Sequence, residues 1–154
     1  MERKGAGGYL RLGSIDEARR RNPSRSERRK TVLLEENKVI NRLRRALVVA
    51  VNLDPVSGHE QAGYRPAIIL SDPNMASEMR YPLVAVVPVT RTELSGTFCI
   101  RLPSGSGGLK SDSFALVDQL RSIDIRRISK TFGVIPENTV ARIDASIKIF
   151  LGLK

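Results

Sequence analysis

The chain has 154 residues, 41% of them hydrophobic and 27% charged, which is the size and balance of one globular domain rather than a multidomain machine. No run of about 18 apolar residues occurs to span a membrane, the first thirty residues are too basic and polar for a secretory leader, and the single cysteine, Cys99, excludes an intrachain disulfide or a cysteine-built zinc cluster. A cytoplasmic protein is expected, and the net charge of +10 favours polyanionic partners through counterion release.

That charge is unevenly spread: residues 1–45 carry +8 of it and residues 46–154 only +2. The basic segment holds Gly5, Gly7 and Gly8, the run Arg19, Arg20, Arg21, then Asn22-Pro23-Ser24 and Arg28-Arg29-Lys30. Few large apolar side chains offset the entropy of ordering it, so residues 1 to about 28 read as flexible. Val32, Leu33, Val39, Ile40 and Leu43 recur at helical spacing, compatible with a marginal helix over 26–44 capped by Ser26. The expected division is a basic extension over 1–44 and a folded domain over 45–154.

From Ala46 the pattern becomes that of strands. The run 47–53 is rich in β-branched residues and stops at Asp54-Pro55, where proline cannot donate to a ladder. Further strands are expected at 67–70, 83–89, 97–102, 114–118 and 122–125, separated by Asp72-Pro73-Asn74, Ser95-Gly96 and the glycine-rich stretch 103–108. Short strands and tight turns predict a mainly β protein, a small barrel. The stretch 105–110 lacks the Gly-Lys-Ser/Thr ending of a phosphate-binding loop and reads as a mobile hairpin loop. After Pro136, Val140, Ile143, Ile147, Phe150 and Leu151 follow at three- and four-residue spacings, predicting an amphipathic C-terminal helix that ends at Gly152.

Chemistry-bearing residues cluster in three places. The loop 54–66, DPVSGHEQAGYRP, holds the only histidine, His59, beside Glu60 and Gln61, and then Arg65, all pinned by Pro55, Gly58, Gly63 and Pro66. Each residue alone reads as solvated surface; together they offer a proton carrier, a carboxylate and a guanidinium within seven residues. A strand ends at Pro88-Val89-Thr90 and is followed by Arg91. Another segment carries Asp118, Gln119 and Arg121, with Asp118 expected on an alternating strand otherwise built for the core. A carboxylate there needs a partner such as Arg121 or Arg65, and structural pairing and catalysis are equally compatible with it.

These three segments, LDP…GHEQAGYRPA over 53–67, VVPVT over 86–90 and DQLRSID over 118–124, resemble the MazF/PemK (Kid) toxins of bacterial toxin-antitoxin pairs, in order and spacing. The resemblance runs from about residue 45 to 153 and takes in the terminal helix. It implies an SH3-like β-barrel of the MazF/PemK/CcdB type with a C-terminal helix, assembled as a homodimer. It also implies sequence-selective cleavage of single-stranded RNA without a metal or other cofactor, by attack of the ribose 2′-hydroxyl on the adjacent phosphate. The products would be a 2′,3′-cyclic phosphate and a 5′-hydroxyl.

By the same resemblance Arg65 and Thr90 act on the phosphate, His59 and Asp118 fall on positions some members use for proton transfer, and Glu60, Gln61, Arg91, Gln119 and Arg121 contact RNA or orient Arg65. A cognate antitoxin of the MazE/PemI kind is implied as partner, with contact to operator DNA made through it. Two departures stand out. The family usually opens its first strand with glycine and an acidic residue, where this chain has Ala46-Leu47; and some members carry an arginine two residues before the aspartate, where this chain has Leu116, leaving the acid role to His59 or Arg65. A CcdB-like gyrase-poisoning toxin and a non-catalytic RNA-binding member are the alternatives. The first lacks the EQ…RP and DQ motifs seen here.

Overall fold

The computed structural model describes residues 23–78 and 82–154, without the side chains of 77 and 78. The expected flexibility of the N-terminus falls mainly on 1–22, outside the described residues. Two compact units divide after Leu34.

In the first unit the described chain is the opening of helix α1 (Arg25–Ile40), so order begins before the residue-28 boundary expected from composition. Its cap is Ser24 rather than Ser26. The Ser24 hydroxyl accepts from the Glu27 N–H at 3.2 Å, and the Glu27 carboxylate accepts from the Ser24 N–H at 2.7 Å. Only a Ser three residues before a Glu can close this reciprocal box, and Ser26 lacks that spacing.

The second unit, from Glu35 onward, is an antiparallel sheet with two further α-helices. Its strands are β1 (Leu47–Asn52), β2 (Tyr64–Ile69), β3 (Leu83–Thr90), β4 (Cys99–Leu102), β5 (Ser113–Leu116), β6 (Arg121–Asp124) and β7 (Ile128–Val134). The order is β4-β5-β3-β2-β1-β7, and β6 pairs with the first half of β3 while β5 pairs with its end. The path does not close between β4 and β7, so the barrel is open. Helix α2 (Pro73–Glu78) occupies what the sequence suggested was only a turn, because the Asp72 carboxylate accepts from the Asn74 N–H at 2.9 Å and Pro73 starts the first turn. Strand β7 escapes the sequence pattern because it is an edge strand whose residues are mostly exposed and show no apolar alternation.

Both faces of the central strands are covered. On one side Val49, Val51, Ala67, Ile69, Val84, Val86, Ile123 and Ile125 pack together, and Ile40 and Leu43 join them from before β1. On the other side Val48, Ile68, Val87, Val89, Leu102 and Ala115 pack with Ile143 of the C-terminal helix α3 (Glu137–Leu151). Two-sided burial is why 47–51 reads as an unbroken apolar run rather than an alternating one. Fully burying a chain such as Ile68, Ile69 or Ile143 contributes about 2–3 kcal/mol.

Helix α3 ends at Gly152, whose φ of 67° lets its N–H reach back to the last turn. Its apolar face divides: Val140, Ile143 and Ile147 pack on the sheet, whereas Phe150 meets Phe98 edge-on at 5.3 Å and Leu151 is exposed with Ile149 and Leu153. Arg45 ties the start of β1 to this helix, donating to the Leu70 carbonyl and to Asp144.

The glycine-rich stretch is not a loose loop. A 3-10 turn (Ser106–Gly108) buries Gly107 at φ 56°, where an added Cβ would come within 2.3 Å of Val48 Cγ2. The Gly105 N–H donates to Leu109 O at 2.8 Å, and Asp112 accepts from the Ser104 N–H at 2.9 Å and from Arg101 at 2.5 Å. The Arg101 hydrogen bond holds the Asp112 carboxyl below its ordinary range. These contacts define the path of the loop, and its Leu109, Lys110 and Ser111 line the candidate site.

Candidate active site

All the sequence-derived residues except His59 and Gln61 line one of two depressions. The larger, of about 480 Å³, is lined by Arg65, Thr90 and Arg91 together with Tyr64, Lys110 and Ser111 among others, and none of its eleven lining residues is acidic. Arg65 and Thr90 meet because β2 and β3 are antiparallel with Ala67 facing Pro88; continuing that register by two residues sets Arg65 opposite Thr90. Three cations and several hydroxyls around one groove form a receptor for a polyanion.

The smaller depression, of about 380 Å³, is lined by Glu60, Asp118, Gln119, Leu120, Arg121 and Ser122. Asp118 lies not on a strand but on a 3-10 turn (Val117–Gln119) following β5, and it is exposed. Strand alternation ends at Leu116, so Asp118 escapes the burial expected for it and needs no structural counterion. Arg121 stands 3.6 Å from Glu60, and its Nη1 is buried without a hydrogen bond. Asp124, at the end of the same strand, is hydrogen-bonded by Arg126, which keeps its carboxyl below the ordinary range.

Gln61 joins the two depressions. Its N–H donates to the Gln119 side-chain oxygen at 3.2 Å, and its own side-chain oxygen accepts from Arg65 Nη1. Arg65 Nε donates to the Ala62 carbonyl at 2.7 Å. The guanidinium is thereby held from the loop side, with Nη2 unbonded among the described residues. His59 is exposed and lines neither depression. Sequence reasoning missed Tyr64 and Lys110. Tyr64 sat inside the quoted loop motif, but only register and the Gly107 turn bring Lys110 to the same groove. Among the described residues no three His, Cys, Asp or Glu side chains converge as a metal site would need, and no helix is long and apolar enough to cross a membrane.

An open antiparallel sheet with a C-terminal helix packed on it and a cationic groove defines a small β fold that known proteins share. The chain superposes on MazF from Deinococcus radiodurans with a TM-score of 0.64 and 28% identity, over 72% of this chain and 97% of that one. It also superposes on a chain of a MazE-MazF crystal structure from the same organism, with a TM-score of 0.59 and 28% identity, over 73% of this chain and 97% of that one. Endoribonuclease MazF9 of Mycobacterium tuberculosis is 30% identical over 115 residues, 72% of this chain and 98% of that protein. Residues 44–151 match the model of the PemK-like, MazF-like toxin of type II toxin-antitoxin systems, and the chain belongs to that family.

Proposed function

We propose that this chain is a sequence-selective, metal-independent endoribonuclease toxin that cuts single-stranded RNA. The observation that carries this reading is the acid-free groove in which Arg65 and Thr90 stand opposite one another beside Arg91 and Lys110. The 2′-hydroxyl loses its proton and attacks the adjacent phosphorus; the bond to the 5′-oxygen breaks, and that oxygen takes up a proton. The phosphorane is more negative at its equatorial oxygens than the ground state, so fixed charge there lowers the barrier. Arg65, held by Gln61 and Ala62, supplies the charge, and the Thr90 hydroxyl donates a hydrogen bond. Asp118 and His59 are the candidates for moving the two protons, and Glu60, Gln61, Arg91, Gln119 and Arg121 guide the strand.

The antitoxin of this chain is an acidic-tailed protein of the MazE/PemI kind that occupies the groove, a reading supported by the MazE-MazF complexes among its structural relatives. It also carries any contact with operator DNA. The working form is a cytoplasmic homodimer, for which the exposed Ile149 and Leu151 of the C-terminal helix and Leu153 just beyond it offer apolar surface. The reading is tested by Arg65→Ala. Removing one charge-stabilising donor is expected to lower cleavage by at least about 100-fold with an unchanged urea midpoint. Turnover near that of the wild type would remove Arg65 from the chemistry.

A further inference from the structure

Three exposed aromatic rings stand among the described residues: Tyr64 at 69%, Phe132 at 41% and Phe150 at 40% exposure. Two are accounted for locally. Lys130 lies over Phe132 at 5.2 Å, and Phe150 meets Phe98. Tyr64 has neither an aromatic nor a cationic ring contact among the described residues, and it is the most exposed of the three. Its place is specific, since it opens β2 opposite Asn52 and lines the groove beside Arg65, Thr90 and Lys110. Consecutive strand residues point to opposite faces, yet Tyr64 and Arg65 line one groove, which therefore wraps the end of the strand.

An uncovered ring amid cations and hydroxyls suits a ligand that alternates flat apolar faces with negative charges. Single-stranded nucleic acid is that ligand, because unstacked bases gain by lying on aromatic side chains while cations track the backbone. We propose that Tyr64 is the stacking platform for the nucleobase flanking the phosphate held by Arg65, and that Lys110 takes the next phosphate along the strand. This rests on the RNA-cleaving reading above and adds to it the residue that grips the base. Lys110 can act as a fixed contact because the Gly107 turn and the Ser104 and Asp112 hydrogen bonds hold its loop.

The chain contains no tryptophan, so Tyr64→Trp introduces a single reporter. The probe is a randomised twelve-nucleotide 2′-fluoro RNA, which lacks the attacking hydroxyl and survives the titration. Saturable quenching of the Tyr64→Trp emission is expected. Tyr64→Ala should weaken probe binding about tenfold or more and raise KM for cleavage of a long single-stranded RNA in proportion, with kcat within about threefold; Tyr64→Phe, which keeps the ring, should restore both. Lys110→Ala should lower the slope of log Kd against log salt by about 0.7. Probe binding by Tyr64→Ala within twofold of wild type, or unquenched tryptophan under saturating probe, overturns the stacking role. An unchanged salt slope overturns the role of Lys110. If Tyr64→Ala sediments as a different oligomer from wild type, the ring belongs to an interface between copies and the assignment falls. A wild-type chain that neither binds the probe nor cuts RNA overturns the underlying reading as well, whereas cleavage that Arg65→Ala abolishes and Tyr64→Ala leaves untouched overturns this inference alone.

Discussion

Ala46 has a φ of 68°, the left-handed region that favours glycine, and it is fixed there by two ladder bonds: its N–H donates to Ile69 O at 2.7 Å and its carbonyl accepts from Ile135 N at 3.0 Å. A Cβ in that conformation costs roughly 1–2 kcal/mol. The glycine that related toxins usually carry at the start of this strand therefore has a backbone reason, and this chain tolerates its absence at a cost. Ala46→Gly is expected to stabilise the fold by a few tenths to about 1 kcal/mol, less than the full strain because glycine also frees the unfolded chain. A lowered urea midpoint in that variant would show the position is not strained. Arg65 and Thr90 were named in the sequence by the family resemblance alone, and the β2–β3 register is what sets them on one groove. Tyr64 was not named, because its significance lies in lacking a ring contact among the described residues, and such contacts are visible only in three dimensions. Asp118 was misplaced for a related reason: a 3-10 turn begins at Val117, and alternation cannot signal where a strand stops.

Among the elements, α1 bears most directly on experiment. Composition separates a basic extension at residue 44, and on that basis removing residues 1–40 should leave cleavage intact. The packing moves the cut. Ile40 and Leu43 are 5% and 8% exposed and lie in the core with Val49, Val51 and Ile123. Deleting residues 1–34 is expected to leave the melting temperature and cleavage largely unchanged, whereas deleting 1–40 removes Ile40 and should cost at least about 2 kcal/mol. Equal stability of the two truncations would show that Ile40 contributes nothing. The central strands β1 and β3 were legible because burial on both faces writes a continuous β-branched run. Strand β7 and helix α2 were not: one is an exposed edge, the other a single capped turn begun by Asp72-Pro73. The glycine stretch looked mobile because composition cannot distinguish glycines that free a loop from glycines such as Gly107 that allow close approach to Val48 and Ile135.

Across the whole molecule, the charge is placed rather than merely abundant. Eight of the ten net charges belong to residues 1–45, and the remainder of the chain is nearly neutral. On the proposed reading, affinity for RNA comes from Arg65, Arg91 and Lys110, which line one groove with no carboxylate among its lining residues, while Glu60 and Asp118 line a second depression with Arg121. That separation, cations in one depression and carboxylates in the other, suits the proposed attack of a ribose hydroxyl, in which fixed charge faces the phosphate and a carboxylate is free to move a proton. The most direct test is to incubate the purified chain with a long single-stranded RNA in excess EDTA and identify the new ends. The expected result is discrete cleavage giving a 5′-hydroxyl, labelled by polynucleotide kinase without prior phosphatase, and a 2′,3′-cyclic phosphate. Cleavage that requires added magnesium, or that leaves 5′-phosphates, would contradict it.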